Sequence, residues 1–437
     1  MCATTVACDR KSSFRVARAT LNAYRRIAPR PGLSRNCFFG GHFEVKVLFY
    51  SHYFAPRIGG VETIVLSLAQ GLAEVLTPSG FPEFELTLIT ETPAEDFDDG
   101  VLPFRVFRQP SIVQLFRMIR SSDIIHIAGP ALFPLLLGLS ARKAVVVEHH
   151  GFQTICPTGQ LLIEPRGVPC PGHFMAGRHV ECLRCRSNGD WLTSWKLWLS
   201  TFVRRFLCSR VAANIMPTEW LGGLVHLANA VSIPHGIESM ARYPESRRSS
   251  SPPLIVFQGR IVTTKGLPVL LEAARILRSE NRIFELLVIG DGPERIAIEE
   301  LARKLQLSSF VRFAGRIATA DIDKAFANAS VVVVPSLGGE VFGLVLAENM
   351  SRGIPIVASN IGCFTEVLGD AGLIFGVGDA KDLARQITHL LDDSALASAF
   401  SGRARRRLSE RYPRSRMIEA HAQLYRQLRN AKTNLRL

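Results

Sequence analysis

Two hydrophobic rhythms alternate along this chain of 437 residues. Residues 44–50, Glu-Val-Lys-Val-Leu-Phe-Tyr, form a mostly apolar run of strand length, and residues 61–75 space their apolar side chains as one face of a helix. A loop, 51–60, joins them, so the chain opens with a strand, a glycine-bearing turn and a helix. Further strands are predicted at 85–89, 124–127, 144–147, 211–216 and 230–233. A second series starts at 254–257: helix 267–278, strand 284–289, helix 294–305, strand 311–314, helix 322–327 and strand 331–334. Strict alternation of this kind predicts a parallel sheet covered by helices. The fold class expected is therefore α/β, as two doubly wound, Rossmann-like domains over residues 41–238 and 254–415. Residues 239–253, rich in Ser, Arg and Pro, read as the linker, and residues 416–437 as a C-terminal helix. The apolar run 131–139 is short and contains Pro134, so a buried helix is expected there and no membrane span.

The most informative stretch is Glu340-Val-Phe-Gly-Leu-Val-Leu-Ala-Glu348, after the strand Val331-Val-Val-Val-Pro335 and the turn Ser336-Leu-Gly-Gly339. The pattern predicts a helix opening near Val341, whose free amides and partial positive charge suit a phosphate. Two glutamates eight residues apart repel a phosphate but accept hydrogen bonds from the hydroxyls of a sugar and a ribose. Hydroxyls, diphosphate, hydroxyls is the order of groups in a nucleotide-sugar. Upstream lie Phe257-Gln-Gly-Arg-Ile-Val-Thr-Thr-Lys-Gly266 and Val288-Ile-Gly-Asp-Gly-Pro293; downstream lie Gly353-Ile-Pro-Ile-Val-Ala-Ser359 and Gly362-Cys-Phe-Thr-Glu366. Arg260 and Lys265 follow a strand directly, where cations meet a diphosphate.

This ordered set resembles the retaining glycosyltransferases of family 4, which have the GT-B fold of two domains facing across a cleft. The resemblance spans roughly residues 45 to 425. It implies transfer of a hexose-type sugar from a nucleoside diphosphate donor, with UDP favoured, to a glycan or lipid-linked glycan acceptor, and no cofactor for catalysis. By the same resemblance Arg260 and Lys265 stabilise the departing diphosphate, Glu348 holds the ribose and Glu340 the hexose hydroxyls. The amides around Phe342 and Gly343 contact phosphate and sugar, and the C-terminal helix crosses back to the first domain. Gly59 and Gly60 match the loop that reaches toward the donor phosphate. His150, in Val147-Glu-His-His-Gly-Phe152, matches the family's active-site histidine; of the adjacent pair, His149 is expected to be structural, because neighbouring side chains on a strand point oppositely. Cys363 departs from the pattern, standing where Gly-Gly-x-x-Glu has its second glycine.

Cys156, Cys170, Cys182 and Cys185 are spaced C-x13-C-x11-C-x2-C in a Pro/Gly-rich insert over 156–185, which appears in a subgroup of the resembling family. Four thiolates match tetrahedral zinc, and a loop of this length needs something to order it. Buried free thiols and redox chemistry are the rival readings, and His173 and His179 are substitute ligands. Nine cysteines with no secretory pattern make a disulfide framework unexpected. Trp191, Trp195, Trp198 and Phe202 form one helical stripe beside Lys196, Arg204 and Arg205. It reads either as a core face or as a face lying on a membrane.

Charge adds one constraint. Residues 1–40 hold eight Lys/Arg against one acid, and residues 400–437 eleven against two. These ends outweigh the formal charge of +14, so the body between them is close to neutral. Basic ends suit peripheral contact with an anionic membrane, and the expected location is cytoplasmic, including the inner face of a membrane. Nucleic acid is not an expected partner, because no helix-turn-helix, zinc-finger or RNA-binding motif accompanies the charge. Residues 1–40 are expected to be a disordered extension. Two other function classes stand beside the transferase: a catalytically inactive nucleotide-sugar or glycan-binding protein of the same fold, and a dinucleotide-dependent oxidoreductase. The second lacks G-x-G-x-x-G after the first strand of either half.

Overall fold

The computed structural model describes residues 43–95, 97–186, 190–238 and 252–434. The 1–40 extension and most of the 239–253 linker lie outside the described residues. Two parallel sheets dominate. The first has seven strands in the order Arg105–Arg108, Phe84–Thr90, Val45–Ser51, Ile124–Ala128, Ala144–Glu148, Ala213–Met216 and Ala230–Ser232. The second has six, in the order Val311–Gly315, Glu285–Ile289, Leu254–Gln258, Ala329–Val334, Ile356–Ser359 and Leu373–Phe375. In each sheet the strand order reverses beside the first strand of the domain, which opens a ligand crevice at the carboxyl ends.

The central strands read as continuous apolar runs because helices cover both faces of each sheet. Val145, Val146 and Val147 are fully buried, as are Val331 and Val332. Strand Arg105–Arg108 escaped the sequence pattern, since it is a short edge strand with Arg105 and Phe107 exposed and Arg108 paired with Asp99. The helix after Gly343 begins at Leu344 rather than near Val341. Glu340 therefore sits in the loop and only Glu348 on the helix. Gly343 fixes that start: its φ is +92°, and a Cβ would lie 2.6 Å from the Phe364 ring.

Helix Arg414–Asn434 packs against helix Gly60–Ala73 and against the strands of the first domain. Arg414 donates to the Ser67 hydroxyl and carbonyl, each at 2.9 Å, and Arg426 forms a two-pronged pair with Glu83 at 2.7 and 2.8 Å. Met417 and Tyr425 enter the first domain's core from this helix. The described residues thus start and finish on the same domain. No helix among the described residues is long and apolar enough to cross a membrane.

Candidate active site in the interdomain cleft

The second domain supplies three loops to the cleft. Strand Leu254–Gln258 runs into Gly259-Arg260, then a single turn over Thr263–Lys265. The next strand delivers Gly290-Asp-Gly292 against it. Gly259 donates to the Ile289 carbonyl at 3.0 Å and Ile261 to the Asp291 carbonyl at 2.9 Å. A Cβ on Gly290, whose φ is +135°, would lie 1.8 Å from the Gly259 carbonyl oxygen. Those glycines serve loop packing, which removes the feature that suggested a dinucleotide. The third loop, Ser336–Gly343, carries Glu340.

Lys265 pairs with Glu340 through its ammonium, and the same carboxylate oxygen accepts from Ser336 at 2.9 Å. Glu348, half-buried, accepts from the Gln258 amide at 3.1 Å. Burial pushes its carboxyl above the usual range, against the pull of the nearby Arg352 and Gln258. Arg260 is exposed, and its carbonyl accepts from the Val262 amide at 3.0 Å. Phe342 is fully buried and stands edge-on between His235 at 5.1 Å and Tyr412 at 5.5 Å, so only its backbone is free to meet a ligand.

The first domain faces these groups with the end of strand Ala144–Glu148. His149 turns into the domain and shares a 3.0 Å hydrogen bond with the side-chain amide oxygen of Asn214. His150 points the other way, 3.5 Å from the buried Glu148 carboxylate, and its ring stacks on His235 at 5.2 Å. Gly59 is extended and Gly60 begins the first helix, so neither has the positive φ that glycine permits. Close approach is the reason for Gly60, because a Cβ there would lie 3.1 Å from Leu344 of the opposite domain.

Direct contacts fasten the two sides together. Gly339 donates to the Gln160 carbonyl at 2.7 Å, and the Thr218 hydroxyl donates to the Val341 carbonyl at 3.0 Å. Glu366 accepts from the amides of Glu219 and Trp220 at 2.9 and 2.8 Å, capping helix Glu219–Val225 from across the cleft. Cys363 is buried with its thiol 3.4 Å from the Glu340 carbonyl.

The cysteine insert lies beside the same seam. Cys156, Cys182 and Cys185 are buried, Cys170 is half-buried, and none forms a disulfide. Burial first, and the neighbouring thiols second, push Cys182 up to about 12; burial likewise raises Cys185 to about 11. Thiols this weak are protonated at neutral pH and poor nucleophiles, which speaks against redox chemistry. They do not close tightly on one point. Among the described residues, the three-donor groups within 4.8 Å of one another are His126–Glu148–His421 and Glu148–His150–His235.

The sequence reading missed Glu148, His126 and His235. Their signal was ionisable residues in or just beyond otherwise apolar strands, where a charge is costly unless it serves something. Burial depresses His149 to about 4 from the usual 6.5, with Asn214 opposing, and depresses His421 to about 4 as well. Histidines held neutral bind a proton more readily in the unfolded chain. Stability is therefore expected to fall as pH drops from about 6.5 toward 4, read as a declining urea midpoint. His149→Gln should shrink that pH dependence; an unchanged slope would remove His149 from it.

Residues 242–407 match the family model described as Glycosyl transferases group 1. Phosphatidyl-myo-inositol mannosyltransferase of Mycolicibacterium smegmatis is 32% identical over 213 residues, 46% of this chain and 53% of that protein. Sulfoquinovosyl transferase SQD2 of Arabidopsis thaliana is 27% identical over 303 residues, 64% and 56% of the two. The chain spans about half the length of the curated relatives it matches. Among solved structures, Anabaena HepE in complex with UDP superposes with a TM-score of 0.64 at 17% identity, covering 86% of this chain and 98% of that one. Sucrose-phosphate synthase from Thermosynechococcus elongatus gives 0.65 at 20%, covering 89% and 100%. The chain therefore has the GT-B fold, and its similarity to the model described as Glycosyl transferases group 1 is confined to residues 242–407.

Proposed function

We propose that this protein transfers a hexose-type sugar from a nucleoside diphosphate donor, UDP-linked, to a glycan or lipid-linked glycan, with retention at the anomeric carbon and no catalytic metal. It would belong to the family 4 subgroup that carries a cysteine-rich insert. The observation that carries the reading is the Lys265–Glu340 pair in the cleft, with half-buried Glu348 and exposed Arg260 on the same domain. A diphosphate arriving between Lys265 and Arg260 takes the ammonium and releases Glu340 to accept from sugar hydroxyls. Glu348 then accepts from the ribose, while the amides of Phe342 and Gly343, and the Gly59-Gly60 loop, close on phosphate. The two cations oppose charge growing on the leaving diphosphate, and that oxygen takes the acceptor proton on the same face of the sugar. His150 lines the opposite wall and contacts the transferred sugar.

Lys265→Ala is expected to lower kcat by about 100-fold or more, measured as donor-dependent transfer or donor hydrolysis. Glu348→Gln should separate stability from binding. Because burial disfavours the Glu348 charge, the variant should melt no lower than the wild type at pH 7, yet bind UDP about 10-fold or more weakly. Full UDP affinity in that variant would remove Glu348 from the site. Protection of the wild type by no nucleotide would favour the inactive binding protein.

A lipid-linked acceptor is supported by one surface. The stripe on helix Trp191–Cys208 divides: Trp198 packs on His179 of the insert at 5.6 Å and on Phe202 at 4.9 Å. Trp191, Leu192, Trp195, Leu199 and Phe206 stand exposed, which the core-face reading did not foresee. Helix Leu132–Ser140 packs alongside and exposes Phe133 and Leu136. Exposed Lys196 and Arg210 border the apolar face, Arg210 lying 4.8 Å over the Phe206 ring. Such a face fits the headgroup region of an anionic bilayer. The protein should sediment with vesicles containing anionic lipid, and Trp191→Ser with Trp195→Ser should release it; equal binding by the double variant would discard the surface.

Structural zinc at Cys156, Cys170, Cys182 and Cys185 completes the reading. The four thiols are near enough to raise one another's proton affinity, and a metal would reverse that by holding them as thiolates. Metal analysis should find one zinc per chain, lost in Cys182→Ser together with a lower melting temperature. Metal-free wild type of unchanged stability would leave the cysteines as buried thiols.

A further inference from the structure

Glu148 is fully buried, and its ion-pair and hydrogen-bond partners are histidines. They come from separate parts of the chain. His126 lies on the neighbouring strand, His150 just beyond Glu148, and His235 after the domain's last strand. His421 and Tyr425 approach from the crossing C-terminal helix, and His149 is turned away to Asn214.

The Tyr425 hydroxyl lies 2.8 Å from His126 Nδ1, and His126 Nε2 lies 3.1 Å from Glu148 Oε2. A hydroxyl donating to Nδ1 leaves the single ring proton on Nε2, where it is donated to the carboxylate. That chain satisfies one oxygen of Glu148. Besides His421 Nε2, three buried polar atoms of this cluster remain without a formed hydrogen bond: Glu148 Oε1, His150 Nε2 and His235 Nδ1. They face one another, His150 at 3.5 Å from Oε2 and His235 at 3.4 Å from Oε1. A buried carboxylate is tolerable when donors converge on it, and these two ring nitrogens are the donors within reach.

We propose that Glu148 is a positioning residue for the transfer reaction, fixing the tautomer of His150 so that Nε2–H points to the carboxylate and Nδ1 is left as an acceptor for a sugar hydroxyl. His235, held through Nδ1–H, braces the His150 ring from its stacked face. The crossing helix takes part through Tyr425 and His126, which set the carboxylate that sets His150. The proposal rests on the transferase reading for what Nδ1 meets, but not for the tautomer itself.

The test uses full-length protein with 15N-labelled histidine, His150 being assigned by the His150→Gln variant. In the wild type His150 should show Nε2 protonated and Nδ1 unprotonated at neutral pH. Glu148→Gln cannot accept from all three rings, since one face of its side chain is now a donor. That variant should show mixed His150 tautomers and a kcat about 100-fold lower, with the Kd for UDP within about threefold of wild type. If Glu148→Gln does not fold, Tyr425→Phe removes only the hydroxyl; it should disturb the His126 tautomer and lower kcat severalfold. An Nδ1–H tautomer in the wild type overturns the proposal, as do ring signals unchanged in these variants. So does stoichiometric zinc that Glu148→Gln abolishes, which would make the three orphaned atoms ligands. A wild type that neither binds UDP nor turns over a donor would sink the transferase reading, while the ring signals still decide the role of Glu148.

Discussion

The loop Ser336–Gly343 is the element on which the site depends, because it belongs to one domain and is fastened to the other. Its Gly339 amide and Val341 carbonyl are spent on Gln160 and Thr218 across the cleft. Glu366 adds a cap on a first-domain helix from the same side. These polar contacts are directional, so they fix the register of the two cleft walls more sharply than apolar burial alone. Glu340 and Lys265 on one wall, and His150 on the other, owe their mutual placement to that fastening.

Polar groups are concentrated at the seam, and each has a local reason. Glu348 is raised by burial, whereas Glu148, more buried still, is held well below the usual carboxylate range by its three histidines despite the desolvation cost. The contrast lies in the neighbours: the Arg352 charge and one amide hydrogen bond do not offset the desolvation of Glu348, and converging rings around Glu148 do. A buried carboxyl that resists ionisation is one that would gain from a hydroxyl brought to it. One that is already ionised is better suited to orienting other side chains.

The first domain also spends apolar surface where folding does not need it. Helix Trp191–Cys208 buries Ser194, Thr201 and Cys208 while aromatic residues face outward. Its inner face is small because the helix lies close against its neighbours, and Trp198 and Phe202 instead hold the cysteine insert through Phe174 and His179. The insert is thus tied to the outer helix on one side and, through Gln160, to the loop Ser336–Gly343 on the other.

Sequence by itself determined the α/β class, the parallel sheets and most strand positions, because a strand buried on both faces must be apolar throughout and helices between such strands must be periodic. It also offered Arg260, Lys265, Glu340 and Glu348 as candidates, since charged residues in and beside glycine-bearing loops stand out against an apolar frame. It placed the helix start three residues early, at Val341, where hydrophobicity continues but backbone geometry waits for Gly343. Only the tertiary structure decided that Glu366 bridges domains and that Glu148 gathers histidines from positions 126, 150 and 235. Those relations join residues up to 147 positions apart for Glu366 and about 300 for the Tyr425–His126 bond, and they depend on the direction of a side chain once the backbone is set. Periodicity reports which side of an element is apolar; it carries no record of what another element brings to meet it.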